Sequence, residues 1–401
     1  MDASTSGDGT RLPLAGIRVL EVGNYASAPY GGYLLVLLGA EVVKIEPPQT
    51  GDPMRGWGSG GSEVSFFFRM CNAGKSSVAV DLKSTDGVAL VRSLLPGFDV
   101  MLTNLKKESL AKLGLSGQEC LAVNDRLVHV AITGLGSDGP LAGRPTFDSI
   151  AQALSGLLGL YLESGQVPSS LPAVADLTGG LVAAAGVMAG LTSRGLTGKG
   201  MVVETSLLEA LCTVLSSAHV HASHTAGASG LRRAAGAQMF QLTTADDRRI
   251  AIHLSTSQRF FSNLAKAAAP YLLQDERFAT YQRRVENFDA LGAALQDVFE
   301  TRTCAEWEAL LQGADLPFAQ IYSMAEAPDQ PQIRELGLYQ TDALGRTDLF
   351  RGPWRFDGVR PAADPSLPAV GEDNDAVLAD ILSPGDLERL RRNGVISEEN
   401  R

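Results

Sequence analysis

The chain has 401 residues, more than one ordinary domain of roughly 100–200 residues, so two or three domains are expected. Apolar types at 45% and charged types at 20% fit a soluble globular protein, and 43 glycines without a fixed period exclude a collagen-like chain. Lys and Arg (34) against Asp and Glu (45) leave a net charge of −11, so a global basic footprint for nucleic acid is absent.

In chain order, residues 1–11 are polar and predict no secretory leader. Residues 17–22 read as a strand, 29–38 as a helix with Ser27 near its N-cap and Gly39 at its end, and 41–46 as the next strand. This is a βαβ unit. Its first turn, Gly23 to Pro29, has one glycine where a dinucleotide fold needs G-x-G-x-x-G, and no P-loop motif occurs anywhere. A nicotinamide dehydrogenase and a P-loop kinase are disfavoured; the helix N-terminus still offers N–H groups to a phosphorylated ligand. Strands at 77–82, 99–103 and 127–133 and a helix at 84–95 continue the pattern and predict a parallel sheet between helices. Residues 1–115 balance 11 basic against 11 acidic residues and hold six of the eight lysines. That third of the chain is either a solvated surface or the place where a small polyanion binds.

Helices are expected at 148–160 and from about Asp176, the latter Ala/Gly-rich and buried rather than membrane-spanning, with a strand at 200–204 and a helix at 206–222. A Gly-rich linker at 224–230 precedes a change of character: a hairpin around 245–247, helices at 257–268, 286–301 and 304–313, a strand at 317–322 and a late helix at 386–393. The expected fold is α/β, with a large Rossmann-like parallel-sheet domain (1–223), a smaller α+β domain (224–330) and a C-terminal segment (331–401) returning to the first.

Four dispersed cysteines without a C-x-x-C predict packed thiols in a reducing cytoplasm. His219, His221 and His224 lack a nearby carboxylate at ligand spacing, so no metal is predicted. Two carboxylates stand at loop-to-helix junctions: Asp148 in Gly143-Arg-Pro-Thr-Phe-Asp148 and Asp176 in Val174-Ala-Asp-Leu-Thr-Gly-Gly180. Either can be an N-cap. Asp176, flanked by Ala175 and Leu177 with Gly179-Gly180 allowing close approach, can equally be a nucleophile toward an activated acyl group.

Several ordered blocks now resemble the class III coenzyme A transferases, the family that includes the α-methylacyl-CoA racemases. They are Leu14-Ala-Gly-Ile-Arg-Val-Leu-Glu21, Leu38-Gly-Ala-Glu-Val-Val-Lys-Ile-Glu-Pro-Pro48, Gly51-Asp52 with Arg55 and Trp57, Asn72-Ala-Gly-Lys75, Asp99-Val-Met-Leu-Thr-Asn104, Ile132-Thr-Gly-Leu-Gly136 and Phe147-Asp148-Ser-Ile-Ala-Gln152. The resemblance runs from about Leu14 to Leu382. It implies that Asp176 is the nucleophile, in a segment where Ala175 replaces the usual Gly. It implies a CoA site at Asn24, Tyr25, Ala26, Ser27, Lys83, Asn104, Leu105 and Lys112, with Lys106 and Lys107 as helpers. Asn24 stands where His is frequent, Leu105 where an aromatic is common, and Pro47-Pro48 where some members have Arg. The implied reaction moves CoA from an acyl-CoA to a carboxylic acid through an aspartyl anhydride and an aspartyl-CoA thioester, with no tightly bound cofactor. The implied assembly is an interlocked-ring homodimer in the cytoplasm, binding neither nucleic acid nor membrane. The alternative is an acyl-CoA racemase or isomerase acting by α-proton transfer. Phe147 occupies the place of that branch's histidine and cannot carry a proton. Arg232 or Arg233 is a candidate for meeting an acceptor carboxylate.

Overall fold

The computed structural model describes residues 11–58, 64–163, 171–224, 230–255, 257–341 and 349–397, with residues 162, 163 and 230–233 as backbone only. Residues 11–162, 171–216 and 334–397 belong to one compact unit, and most of a second unit lies in 217–333.

The first unit is built on six parallel strands: β1 (Arg18–Val22), β2 (Glu41–Glu46), β3 (Ser76–Ala79), β4 (Val100–Thr103), β5 (Val128–Thr133) and β6 (Met201–Ser206). Their spatial order is β3-β2-β1-β4-β5-β6, with Leu20 beside Val43 on one side and Met101 on the other. The central strands are near-continuous apolar runs because both faces are covered. Val19, Val42, Val100, Leu102 and Val130 point to one core, while Leu20, Val43, Ile45, Val78 and Met101 point to the other. The chain order reverses between β1 and β4, which opens a crevice at their carboxyl ends where open α/β sheets bind ligands.

The intervening helices are α1 (Ser27–Leu37), α2 (Phe66–Asn72), α3 (Thr85–Leu94), α4 (Lys107–Lys112), α5 (Gly117–Val123), α6 (Asp148–Leu154), α7 (Leu157–Glu163) and α8 (Val174–Thr197). All of α1 but Tyr30 is buried, as befits a helix apolar on every side. Ser27 lies inside its first turn rather than capping it; Ala26 is the N-cap and offers no side-chain bond. The helix expected at 148–160 is two helices, because Gly156 turns left-handed (φ 83°) between them. Helix α8 is long and apolar enough to cross a membrane, yet its small face of Ala175, Gly179, Gly180, Ala183, Ala184, Val187 and Gly190 is buried. It packs on α1, β5 and β6.

The C-terminal segment seals the open edge of β3. Asp373 and Asn374 accept the N–H groups of Ser77 and Ala79, both at 2.8 Å, and Val80 bridges Ile396.

After β6, α9 (Leu207–His224) and α10 (Gly230–Ala237) lead to the antiparallel strands β7 (Met239–Thr243), β8 (Arg249–His253) and β9 (Phe318–Gln320) of the second unit. Helices α11 (Gln258–Ala268), α12 (Tyr281–Glu286), α13 (Phe288–Phe299) and α14 (Cys304–Gln312) accompany them. Phe240, Ile250, Phe261, Leu264, Phe299 and Trp307 are in its core. The Trp307 indole donates to the Phe299 carbonyl at 2.8 Å, so its one polar atom is satisfied. Part of the expected linker at 224–230 falls outside the described residues.

Candidate active site

The site begins with the turn between β1 and α1. Asn104, just past β4, reaches across the switch point and clamps it. Its Oδ1 accepts the Asn24 N–H at 3.0 Å, and its Nδ2 donates to the Asn24 carbonyl at 2.8 Å and to Ser27 Oγ at 3.1 Å. Gly23 is required here: a Cβ would lie 2.7 Å from Asn104 Oδ1. Tyr25 takes a left-handed conformation (φ 61°) and donates its N–H to Asp52 at 3.2 Å. Such strain persists only where the surroundings over-determine it.

The surroundings are a buried ionic frame. Glu21 accepts Lys44 at 2.9 Å and Lys75 at 2.6 Å; Lys44 also pairs with Asp52 at 2.9 Å and donates to the Gly23 carbonyl at 2.7 Å. Glu46 accepts Arg55 at 2.8 and 2.6 Å, the Asp52 N–H at 2.8 Å and Ser77 Oγ at 2.7 Å. Burial opposes the charge on Glu21, but the two lysines outweigh it and hold its carboxyl below the usual range. Lys75 also donates to the Pro29 carbonyl at 2.8 Å, tying this frame to the first turn of α1.

In front of the turn is a cavity of about 420 Å³. Its wall includes Asn24, Tyr25, Ser27, Asn104 and Leu105, the Thr133–Ser137 loop, Arg144, Phe147 and Asp176. The rings of Tyr25 and Phe147 meet edge to face, 5.9 Å between centroids, and Phe147 is 65% exposed.

Asp176 is the third residue of α8 and arrives in the cavity because α8 and α1 touch through glycines. A Cβ on Gly180 would lie 2.6 Å from the Ser27 carbonyl, and one on Gly31 would lie 3.1 Å from the Gly180 carbonyl. Only glycines let the backbones approach this closely, and Asp176 stands one helical turn before Gly180, against the β1–α1 turn. Its carboxylate has no hydrogen-bond or ion-pair partner among the described residues. Burial and the neighbouring negative charge of Asp148 push it up to about 7. A partnerless carboxylate on the wall of an open cavity, with a pKa near neutrality, is suited to covalent chemistry on an acyl group.

A CoA-transferase family III model matches residues 14–374. The chain belongs to CoA-transferase family III. It is thus an enzyme that transfers CoA. It is 29% identical to the mouse (Mus musculus) succinyl-CoA:glutarate CoA-transferase, over 96% of this chain and 91% of that protein. It is 32% identical to the succinyl-CoA–L-malate CoA-transferase alpha subunit of Chloroflexus aurantiacus, over 98% of this chain and 95% of that one. A crystal structure of a CAIB/BAIF family protein from Brucella suis superposes with a TM-score of 0.79 at 30% identity, covering 92% and 99% of the two chains.

Within this family III chain, the structure brings Asp176, Asn24, Tyr25, Ser27, Asn104 and Leu105 to one cavity. Ala26 instead packs behind the turn with Met54 and Phe68. Lys83, in the turn after Asp81, and Lys112, in the last turn of α4, are exposed and do not line the cavity; Lys106 and Lys107 do. Asp148 is the first residue of α6, whose N-cap is Phe147; its Oδ1 instead accepts the N–H groups of Ala175 and Asp176 at the head of α8. Arg144 and the Thr133–Ser137 loop join the site without a sequence signal of their own, although Arg144 and Thr133–Gly136 fall in segments quoted above. His129 is buried on β5 against the Leu115 carbonyl, 3.2 Å away. No group of His, Cys, Asp and Glu among the described residues is placed to hold a metal. The side chains of Arg232 and Arg233 lie outside the described residues.

Proposed function

We propose that this enzyme transfers CoA from an acyl-CoA to a carboxylic acid with Asp176 as the nucleophile. The reading is supported above all by the Asp176 carboxylate, without a partner among the described residues, on the wall of the cavity in front of the β1–α1 turn. An Asp176 oxygen attacks the thioester carbonyl, the C–S bond breaks, and the CoA thiolate leaves a mixed anhydride. The thiolate then attacks the Asp176 carbonyl and expels the donor acid, leaving an aspartyl-CoA thioester. The acceptor carboxylate attacks that carbonyl and frees the thiolate, which finally attacks the acceptor carbonyl and restores Asp176. Anhydride and thioester lie close in free energy, so one hard exchange becomes several easier ones.

The pantetheine arm lies along Asn24–Ser27 and Leu105, and the CoA phosphates meet lysines, with Lys106 and Lys107 nearest the cavity and Lys83 and Lys112 on the outer surface. No tightly bound cofactor takes part. The names of the relatives favour dicarboxylic acids, and Arg144 supplies a cation for the second carboxylate. The racemase alternative is disfavoured because Phe147 holds the rim and His129 is not part of the cavity wall. We read the enzyme as a cytoplasmic homodimer without membrane or nucleic-acid partners; exposed Leu181, Met188 and Val214 offer apolar surface for a second copy.

The test is to incubate the enzyme with a panel of acyl-CoAs, trap with hydroxylamine or borohydride, and map the adduct. An adduct on Asp176, with Asp176→Ala abolishing transfer while CoA still binds, is expected. Retained turnover in that variant overturns the assignment, and α-proton exchange without an adduct points to isomerisation.

A further inference from the structure

Asp148 opens α6, yet one of its carboxylate oxygens serves a different helix. Oδ1 accepts the N–H of Ala175 at 2.8 Å and of Asp176 at 3.1 Å, across 27 and 28 residues of chain. Oδ2 accepts the amide of Gln152, one turn along α6, and that amide also donates to the Pro172 carbonyl at 3.1 Å, just before α8. Ala173, the N-cap of α8, has no side-chain oxygen, so Asp148 supplies the missing cap.

This arrangement has a chemical consequence for Asp176. Free N–H groups in the first turn of a helix ordinarily stabilise a carboxylate there. Here two of those donors are taken by Asp148, and a second negative charge is set beside the first. Hydrogen bonds to a carboxylate stabilise its ground state and blunt its attack, whereas a carboxylate without them keeps its reactivity for the transition state.

We propose that Asp148 is the positioning residue of this centre: it fixes the first turn of α8 so that Asp176 faces the cavity, and it occupies the N–H groups of that turn so that the Asp176 carboxylate receives no donor from the described residues and stays nucleophilic. The proposal rests on the reading of Asp176 as nucleophile. The other charged or titratable groups on the elements packed against α8 are Tyr30 and Tyr33 on α1, His129 on β5 and Glu204 on β6, with Tyr25, Lys106, Lys107, Glu108 and Arg144 on the cavity wall. Lys106, Lys107 and Arg144 are exposed, and the upward shift toward about 7 has its sources in burial and in Asp148.

Two variants separate the roles. Asp148→Asn keeps an oxygen for the two N–H groups and removes the charge; Asp148→Ala removes both. Two readouts follow the state of Asp176: the acidic limb of kcat/KM, and the pH dependence of carbodiimide labelling at Asp176 in the unliganded enzyme, mapped by mass spectrometry. In Asp148→Asn both midpoints are expected to fall by about one pH unit or more, with CoA affinity within about twofold of the parent. Asp148→Ala is expected to lower kcat a further 10–100-fold or so, as a displaced reacting group does. Wild-type midpoints in Asp148→Asn overturn the proposal, and so does an Asp148→Ala loss that merely tracks the fraction of folded, CoA-binding protein. If the parent forms no adduct at Asp176 while the labelling midpoint still moves, the nucleophile assignment fails and the coupling between the two carboxylates stands.

Discussion

Asp176 shows how one residue's surroundings set its behaviour. Its carboxyl is raised from an ordinary 3.8 to about 7, so the folded protein holds a proton there more tightly than the unfolded chain does. The sign for stability follows: the group costs nothing below about pH 4, and stability declines as pH rises toward 7 and the carboxylate must form in place. Asp176→Asn is therefore expected to raise Tm by roughly 2–4 °C at pH 8 and by nothing near pH 4, measured by thermal unfolding at both. In the proposed mechanism catalysis runs the other way, because attack by Asp176 needs the anion; kcat/KM is then expected to fall tenfold per unit below about pH 7. Glu21 is the opposite case, a buried carboxylate held ionised by two lysines. Glu21→Gln leaves Lys75 and Lys44 short of their counter-charge and is expected to cost about 3–5 kcal/mol in denaturant unfolding.

At the scale of elements, the decisive contact is the glycine-mediated approach of α1 and α8. It puts the head of α8 against the β1–α1 turn and so brings Asp176 to the cavity. Gly180→Ala would press a methyl against the Ser27 carbonyl and is expected to destabilise by about 1–3 kcal/mol. It should also lower kcat more than it weakens CoA binding, a split that steady-state kinetics and calorimetry resolve. Most elements here were legible in the sequence. The strands at 41–46 and 127–133 carry strong apolar, β-branched patterns, and α3 has its Ser84 cap and amphipathic spacing. The short helices α2, α4 and α5 leave little trace in the sequence because six or seven residues span fewer than two helical turns. The break at Gly156 escaped it because one glycine within a helical pattern does not reveal its φ.

Across the whole molecule, the uneven charge takes on a structural meaning. Of the six N-terminal lysines, Lys44 and Lys75 are buried in the ionic frame, Lys106 and Lys107 stand on the cavity wall, and Lys83 and Lys112 lie exposed beyond it. Lys106→Ala with Lys107→Ala is expected to weaken CoA binding about tenfold and to flatten its salt dependence, read by titration at two ionic strengths. Lys83→Ala with Lys112→Ala should produce the smaller effect.

The linear order of residues was enough for the parallel α/β sheet, because strand and helix periodicities are local, and for singling out Asp176, now found on the cavity wall, because the blocks around it keep a recognisable order. It was not enough for the duties of the charged residues within those blocks. Glu21, Lys44, Asp52 and Lys75 turn out to support the turn from below, and Asp148 caps a helix that begins 26 residues later. Those roles depend on which groups share a desolvated space after the chain has crossed the sheet several times, and the energy of a charge is set by that space rather than by its neighbours in the chain.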